Sequence, residues 1–429
     1  MDKQYYPLLD ETLYRHRLSN GLQVLVCPKS GFTRKCAYFV TDFGAIHKEF
    51  ALDGRSYTVP AGVAHYLEHK MFELPGRDVS VEFAAMGANV NAFTSYDLTA
   101  YYFSCTERFD DGLRLLLEFV STPYFTAESV ERERGIIDQE IGMHADDPNT
   151  QVFERFVAAM YHRHPIREPI LGTAASIREI TPEILELCHR AFYDPANMTL
   201  CVVGDVDPEA VCAIAAEALG TAPRNMGVKE ADVQEEMTCR EAFVTAKMDI
   251  AMPTFCLGFK CEPTGNGEEA IFQELVADLA AEALLGESSQ LYLQLYEEGL
   301  IDSSFGGGFE TSDGCAMLTC GGDSFQPEEI LPRILQAAQR LWEEGIPQAD
   351  LLRMKRSAMG RRIRDLDSFD ATAFCLCAYH LSGYDYFRFP ELYERITAQD
   401  ILQFLHRVVR PERSCLSVIE PIKEEAYEH

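Results

Sequence analysis

The sequence predicts an α+β chain of two homologous mixed α/β domains, each an antiparallel-rich sheet with helices packed on it. Three observations carry that prediction. Alternating, strand-like stretches interleave with apolar residues at helical spacing along the whole chain. A segment near the middle recurs near the end: Ile180-Thr181, His189-Arg190, Pro195 and an apolar run at 200–203 are echoed by Ile396-Thr397, His406-Arg407, Pro411 and a run at 416–419. The displacement is about 216 residues, half of the 429, and self-similarity on that scale means duplicated architecture. Finally, charge, Pro and Gly rise and periodicity fades at 221–240, which reads as a linker between domains at 1–220 and 241–429.

Each element of the first half has a local reason. Strand-like runs at 13–27, broken by the turn Ser19-Asn20-Gly21, and at 34–42 precede a polar loop to Tyr57. A helix is expected over 60–72, with Pro60 suited to its first turn. A short helix at 79–86 stops at Gly87, and the alternating stretches 88–93 and 99–105 read as paired strands. Helices follow at 110–121 and 127–144, the second opened by Thr126 as N-cap with Glu128 favourable in its first turn. More helix is expected around 151–160. Thr181-Pro182 caps a helix running to Phe192, and a strand at 199–203 and a helix at 208–219 close the half.

Composition narrows the partners. With 47% hydrophobic and 25% charged residues the chain is an ordinary globular protein, and it contains no run of about 18 apolar residues to span a bilayer. Residues 1–7 lack a basic-then-apolar leader pattern, so the expected location is cytoplasmic. The net charge of −30, from 68 acidic and 38 basic residues, argues against nucleic acid and anionic membrane as partners. The 14 cysteines are scattered singly and read as reduced core residues. Cys375 and Cys377 point apart on a helix, which disfavours a metal role.

The chemistry is concentrated at Ala64-His65-Tyr66-Leu67-Glu68-His69-Lys70. On a helix of ~3.6 residues per turn, His65 and His69 lie one turn apart on one face and reach a single metal ion, with Glu68 beside them. This is the order H-x-x-E-H, the inverse of H-E-x-x-H. A catalytic zinc takes three protein ligands and leaves a fourth position for water, so a third ligand must decide. The expected helix at 127–144 offers several acidic residues, among them Glu133 and Glu140, two turns apart on one face. From residue chemistry alone, any acid of that helix qualifies. At the displacement of the repeat, the second half presents Ala280-Ala281-Glu282-Ala283-Leu284-Leu285 and no histidine, so only the first half can bind zinc this way.

Taken together these residues resemble the pitrilysin and mitochondrial processing peptidase family of inverzincin metallopeptidases. The likeness rests on Gly62-Val63-Ala64-His65-Tyr66-Leu67-Glu68-His69, on Asn91-Ala92-Phe93-Thr94-Ser95 with Tyr101-Tyr102, and on Glu133-Arg134-Gly135-Ile136-Ile137 ending at Glu140. It extends to Gly172-Thr173 and Tyr193-Asp194-Pro195-Ala196-Asn197-Met198. The resemblance implies zinc held by His65, His69 and Glu140, with Glu68 as general base and Glu133 as a supporting carboxylate. It also implies that the strand bearing Asn91, Ala92 and Thr94 is an edge on which an extended peptide substrate is added. The expected fold is then a half-clamshell, two of which enclose a peptide-holding chamber, and the expected activity is that of a zinc endopeptidase or processing peptidase.

One departure qualifies the expectation. Members of the family with a complete site carry, in the C-terminal domain, an Arg followed seven residues later by a Tyr, which hold substrate and tetrahedral intermediate. The matching stretch here, 288–303, contains no Arg; it aligns Tyr296 with the Arg and Asp302 with the Tyr, one residue closer together. Paired-subunit bacterial members show the same pattern. The expectation is therefore a zinc-bearing subunit whose homologous partner supplies the Arg/Tyr pair, with a homodimer as the alternative. A competing reading is a non-catalytic scaffold subunit of the same fold, against which the intact His65, Glu68, His69 and Glu140 speak. The run Phe305-Gly306-Gly307-Gly308-Phe309 reads as a flexible loop, a strand bulge or a tight turn.

Overall fold

A computed structural model describes residues 1–220, 229–230 and 233–422. Two compact units emerge: Met1–Ile141 with Pro169–Asp232 and Gly360–Pro390, and Gly142–Glu168 with Val233–Met359 and Glu391–His429. The first contains a seven-stranded sheet in the order Asp2–Tyr6, Glu11–Arg17, Gln23–Pro28, Met198–Gly204, Lys35–Thr41, Thr99–Cys105, Asn89–Thr94. All neighbours are antiparallel except Met198–Gly204, which runs parallel to Gln23–Pro28. The second unit holds a five-stranded sheet in the order Phe243–Met248, Ser414–Pro421, Thr254–Cys261, Cys315–Asp323, Gly306–Ser312. Its first pair is parallel and the rest antiparallel, which reproduces the last five strands of the first sheet.

The repeat read in the sequence has a structural counterpart residue for residue. Thr181 caps the helix Pro182–Phe192 and Thr397 caps Ala398–Val408. Each helix leads through a proline-initiated 3₁₀ turn, Pro195–Asn197 or Pro411–Arg413, into the strand that takes the parallel position of its sheet. Those central strands are covered on both faces, so Met198–Gly204 is buried at every residue and reads as a continuous apolar run, as parallel strands do.

The units are not the contiguous halves 1–220 and 241–429. The helix Pro148–Met160 belongs with the second unit, and Phe369–Leu381, 221 residues further on, belongs with the first. In the first unit, Phe374 meets Phe93 at 5.4 Å, and the Cys377 thiol lies 3.9 Å from the Thr199 carbonyl. No residue of Phe369–Leu381 is exposed: Phe369, Thr372, Ala373, Leu376 and Cys377 are buried and the rest are half-buried. Part of the expected linker, 221–228 with 231–232, lies outside the described residues. The rest of it is anchored: the Glu235 carboxylate accepts from the backbone N–H of His162, Arg163 and His164 and from Lys260.

Two further differences are local. The stretch expected as a polar loop forms a hairpin, Glu49–Leu52 with Arg55–Thr58, turning at Asp53 and Gly54, both at positive φ. The glycine run at 306–308 is neither loop nor tight turn: it opens the edge strand Gly306–Ser312, paired to Cys315–Asp323. Among the described residues no helix is long and apolar enough to cross a membrane. All 14 cysteines are free thiols, and only Cys239 and Cys375 are less than buried.

Candidate functional site

The motif helix runs Val63–Met71, three residues shorter at its start than its expected reach to Pro60. Gly62 stops it: at φ 88° this residue is left-handed, and a Cβ there would lie 2.4 Å from the Leu171 carbonyl oxygen. Gly172, at φ 71°, packs as tightly against the Ala61 carbonyl. Gly62 and Gly172 therefore allow two backbone segments to touch at the helix entrance, which only glycine permits in that conformation. Val63, Ala64, Tyr66, Leu67 and Met71 sink into the core of the first unit, and the Tyr66 hydroxyl donates to the Val130 carbonyl. This burial turns His65, Glu68 and His69 to the opposite side of the helix.

The long helix Ala127–Asp146 faces it. Thr126 accepts from the Ser129 N–H at 3.1 Å, and Val130 and Ile137 are the helix's buried anchors. Their spacing of two turns directs Glu133 and Glu140 toward the motif helix. Glu140 Oε1 lies 3.7 Å from His65 Nε2, and its Oε2 lies 3.5 Å from His69 Nε2. One donor atom from each of His65, His69 and Glu140 falls within 4.8 Å of the others, and among the described residues this is the one such group of metal-ligand side chains. Ligands around a tetrahedral zinc at ~2.0–2.2 Å stand roughly 3.3 Å apart, so two imidazoles and a carboxylate at these distances fit that ion.

Glu133 does not join the three donors. It accepts from His69 Nδ1 at 3.0 Å, which fixes the tautomer and leaves the Nε2 lone pair for a metal. Burial pulls the His69 imidazole down, but the Glu133 hydrogen bond and the charges of Glu68, Glu133 and Glu140 outweigh it, and its pKa rises. Glu68 is 7% exposed and burial pushes its carboxyl up to about 7, against the opposing pull of His69 and of the Thr94 hydroxyl. A carboxylate poised near neutrality is what a general base needs.

The strand Asn89–Thr94 lies at the edge of the seven-stranded sheet, paired only to Thr99–Cys105. Period-2 alternation divides the three substrate candidates. Ala92 packs with the core on the motif-helix side, and the Thr94 hydroxyl donates to Glu68 Oε2 at 3.2 Å. Asn91 sits exposed, and its side-chain oxygen accepts from the Ala92 N–H at 2.9 Å. Thr94 as a partner of Glu68 was not legible in the sequence, since nothing local links residues 26 positions apart. An open cavity of about 580 Å³ adjoins His69 and Glu133, walled by Phe72, Leu74, Arg77 and Ser80.

In the second unit, Tyr296 stands 54% exposed and stacks on Tyr292, with ring centroids 6.1 Å apart. Asp302 is committed to its own turn, accepting from the Ser304 N–H and hydroxyl at 2.8 and 2.6 Å. Tyr296 is an uncharged phenol where the expected pair has a cation, and Asp302 is a carboxylate where it has a phenol.

Comparison with known proteins identifies the family. Residues 58–174 match the family described as insulinase (peptidase family M16), and residues 179–358 match the peptidase M16 inactive domain. A Bacillus subtilis protein described as the uncharacterized zinc protease YmfH is 36% identical, over 97% of this chain and 98% of its own length. The crystal structure of a protein described as an M16-like peptidase from Alicyclobacillus acidocaldarius superposes with a TM-score of 0.91 at 31% identity, covering 96% of this chain and 99% of that one. A Helicobacter pylori protease shares the fold, with a TM-score of 0.82 at 20% identity over 95% of this chain and 99% of that one. The chain belongs to peptidase family M16, the insulinase family.

Proposed function

We propose that this chain is the zinc-bearing subunit of a two-component endopeptidase that cleaves short or unfolded peptides inside a chamber formed with a homologous partner. The observation that carries the reading is the buried Glu68 beside three converging donors, His65, His69 and Glu140. Those three residues would hold zinc, which when bound polarises a carbonyl and brings the pKa of a coordinated water toward about 7.

The chain's own groups account for the rest. Glu68 accepts the proton of the attacking water and returns it to the leaving amine, an effect of roughly 10²- to 10⁴-fold. Glu133 holds the His69 ring in its ligating tautomer, and Thr94 holds the Glu68 carboxylate in place. An extended peptide adds to the free side of Asn89–Thr94, displacing the bond between Asn91 and the Ala92 N–H. Backbone pairing reads little sequence, so cleavage preference falls to side-chain pockets.

The absence of an Arg from 288–303 and the commitment of Asp302 to its own turn support the need for a partner. An oxyanion stabiliser is worth ~2.7–4 kcal/mol when lost. The test is a peptidase assay on the zinc-loaded chain alone and mixed with a family member that carries the Arg/Tyr pair and lacks H-x-x-E-H. The proposal expects at least a 100-fold gain on mixing; full activity of the chain alone rejects the two-component arrangement. No peptide hydrolysis in either condition supports the scaffold reading instead.

A further inference from the structure

We propose that Glu73 is a positioning residue that locks the two metal-ligating helices together, through Lys70 on one and Arg132 on the other. The proposal rests on the reading of His65, His69 and Glu140 as a zinc site.

Lys70 directly follows His69 on the motif helix, yet its side chain is 0% exposed. Its ammonium donates to Glu73 Oε2 at 2.5 Å, the one hydrogen bond it makes among the described residues. Both Glu73 oxygens in turn lie 3.0 Å from Arg132 Nη2, and Arg132 directly precedes Glu133 on the long helix. A surface ion pair would contribute little to any geometry, because water screens it and its side chains are free to move. Here the inward partner is a buried ammonium, which cannot go without a counter-charge, so the Glu73 carboxylate is held where Lys70 requires it. Arg132 then meets a fixed acceptor.

The position of this bridge gives it a consequence at the site. Tyr66 already ties the motif helix to the Val130 carbonyl. The buried Val130 and Ile137 and the His69–Glu133 hydrogen bond also hold the long helix, and the bridge at Arg132 adds a charged restraint on its rotation. Glu140 lies two turns beyond Glu133, so a pivot that barely moves Glu133 carries the Glu140 carboxylate out of the 3.5–3.7 Å range that the two histidines need. The His69–Glu133 hydrogen bond, at 3.0 Å, depends on the same alignment.

The test uses the full chain and reads zinc affinity by chelator competition, well below the unfolding temperature. Arg132→Gln breaks the bridge at its exposed end and strands no buried charge. The double variant Lys70→Met/Glu73→Gln breaks it at the other end and removes the buried ammonium with it, keeping metal-free stability near wild type. Both are expected to bind zinc about 10-fold more weakly, in line with other outer-shell effects, and to alter the visible absorption of the cobalt-loaded protein. Zinc affinity and cobalt spectrum unchanged in both variants would overturn the proposal while leaving the zinc site intact. A wild-type chain that binds no zinc would overturn the site reading itself, and the proposal with it.

Discussion

Replacing Glu235 by Gln tests how the second unit is held together. The side chain is 9% exposed and serves four donors: the backbone N–H of His162, Arg163 and His164 at 2.6–2.9 Å, and the buried Lys260 ammonium at 2.7 Å. Burial alone would raise its pKa, but these donors overrule it and bring the carboxyl from 4.5 down to about 2. At ~1.4 kcal/mol per pH unit, the depression stabilises the fold by about 3 kcal/mol. The sign follows from its direction: a lowered carboxyl pKa contributes fully above pH 4.5 and is lost as pH falls from there toward 2. Gln keeps a hydrogen-bonding shape but leaves Lys260, 1% exposed, without an anion, a change that costs ~3–5 kcal/mol at neutral pH. The chain's single Trp, Trp342, lies in this unit, so its fluorescence during urea denaturation reports on the unit directly. The gap between wild type and E235Q should be widest at pH 7 and close progressively below pH 5. A gap that stays constant from pH 7 to 3, or no gap at pH 7, refutes the reasoning.

Two further outcomes follow from the site. Glu133→Gln removes the charge that orients His69 and should weaken zinc binding by ~10- to 100-fold, measured by chelator competition, with little change in the far-ultraviolet circular dichroism. Gly62→Ala places a methyl group against the Leu171 carbonyl at a left-handed φ, and should destabilise the first unit by roughly 2 kcal/mol or more in thermal unfolding.

What the sequence disclosed and what it withheld divide along physical lines. His65, Glu68 and His69 are legible because helical periodicity is local and puts them on one face. Glu133 and Glu140 are legible as a pair for the same reason, though residue chemistry alone did not choose between them; the structure separates them by the His69 nitrogen each one faces. The repeat was readable because capping residues and prolines recur at fixed offsets. The exchanged helices Pro148–Met160 and Phe369–Leu381 were not: periodicity says that a face is apolar, never which sheet it will cover. The Glu49–Leu52 hairpin carried its signal in Asp53-Gly54, and a polar composition hid it. The bonds of Glu73 with Arg132, Thr94 with Glu68 and Glu235 with Lys260 act across tens of residues, between partners that no local pattern brings together.

The central claim is that Glu68 serves as the base of a zinc peptidase. The most direct test compares wild type with Glu68→Gln, each at a measured zinc content, on a mixed peptide library in the presence of the homologous partner. The expected result is about one zinc per chain in both proteins and a loss of at least 100-fold in hydrolysis for the variant. Equal hydrolysis by the two proteins, or a wild-type chain without zinc, would contradict it.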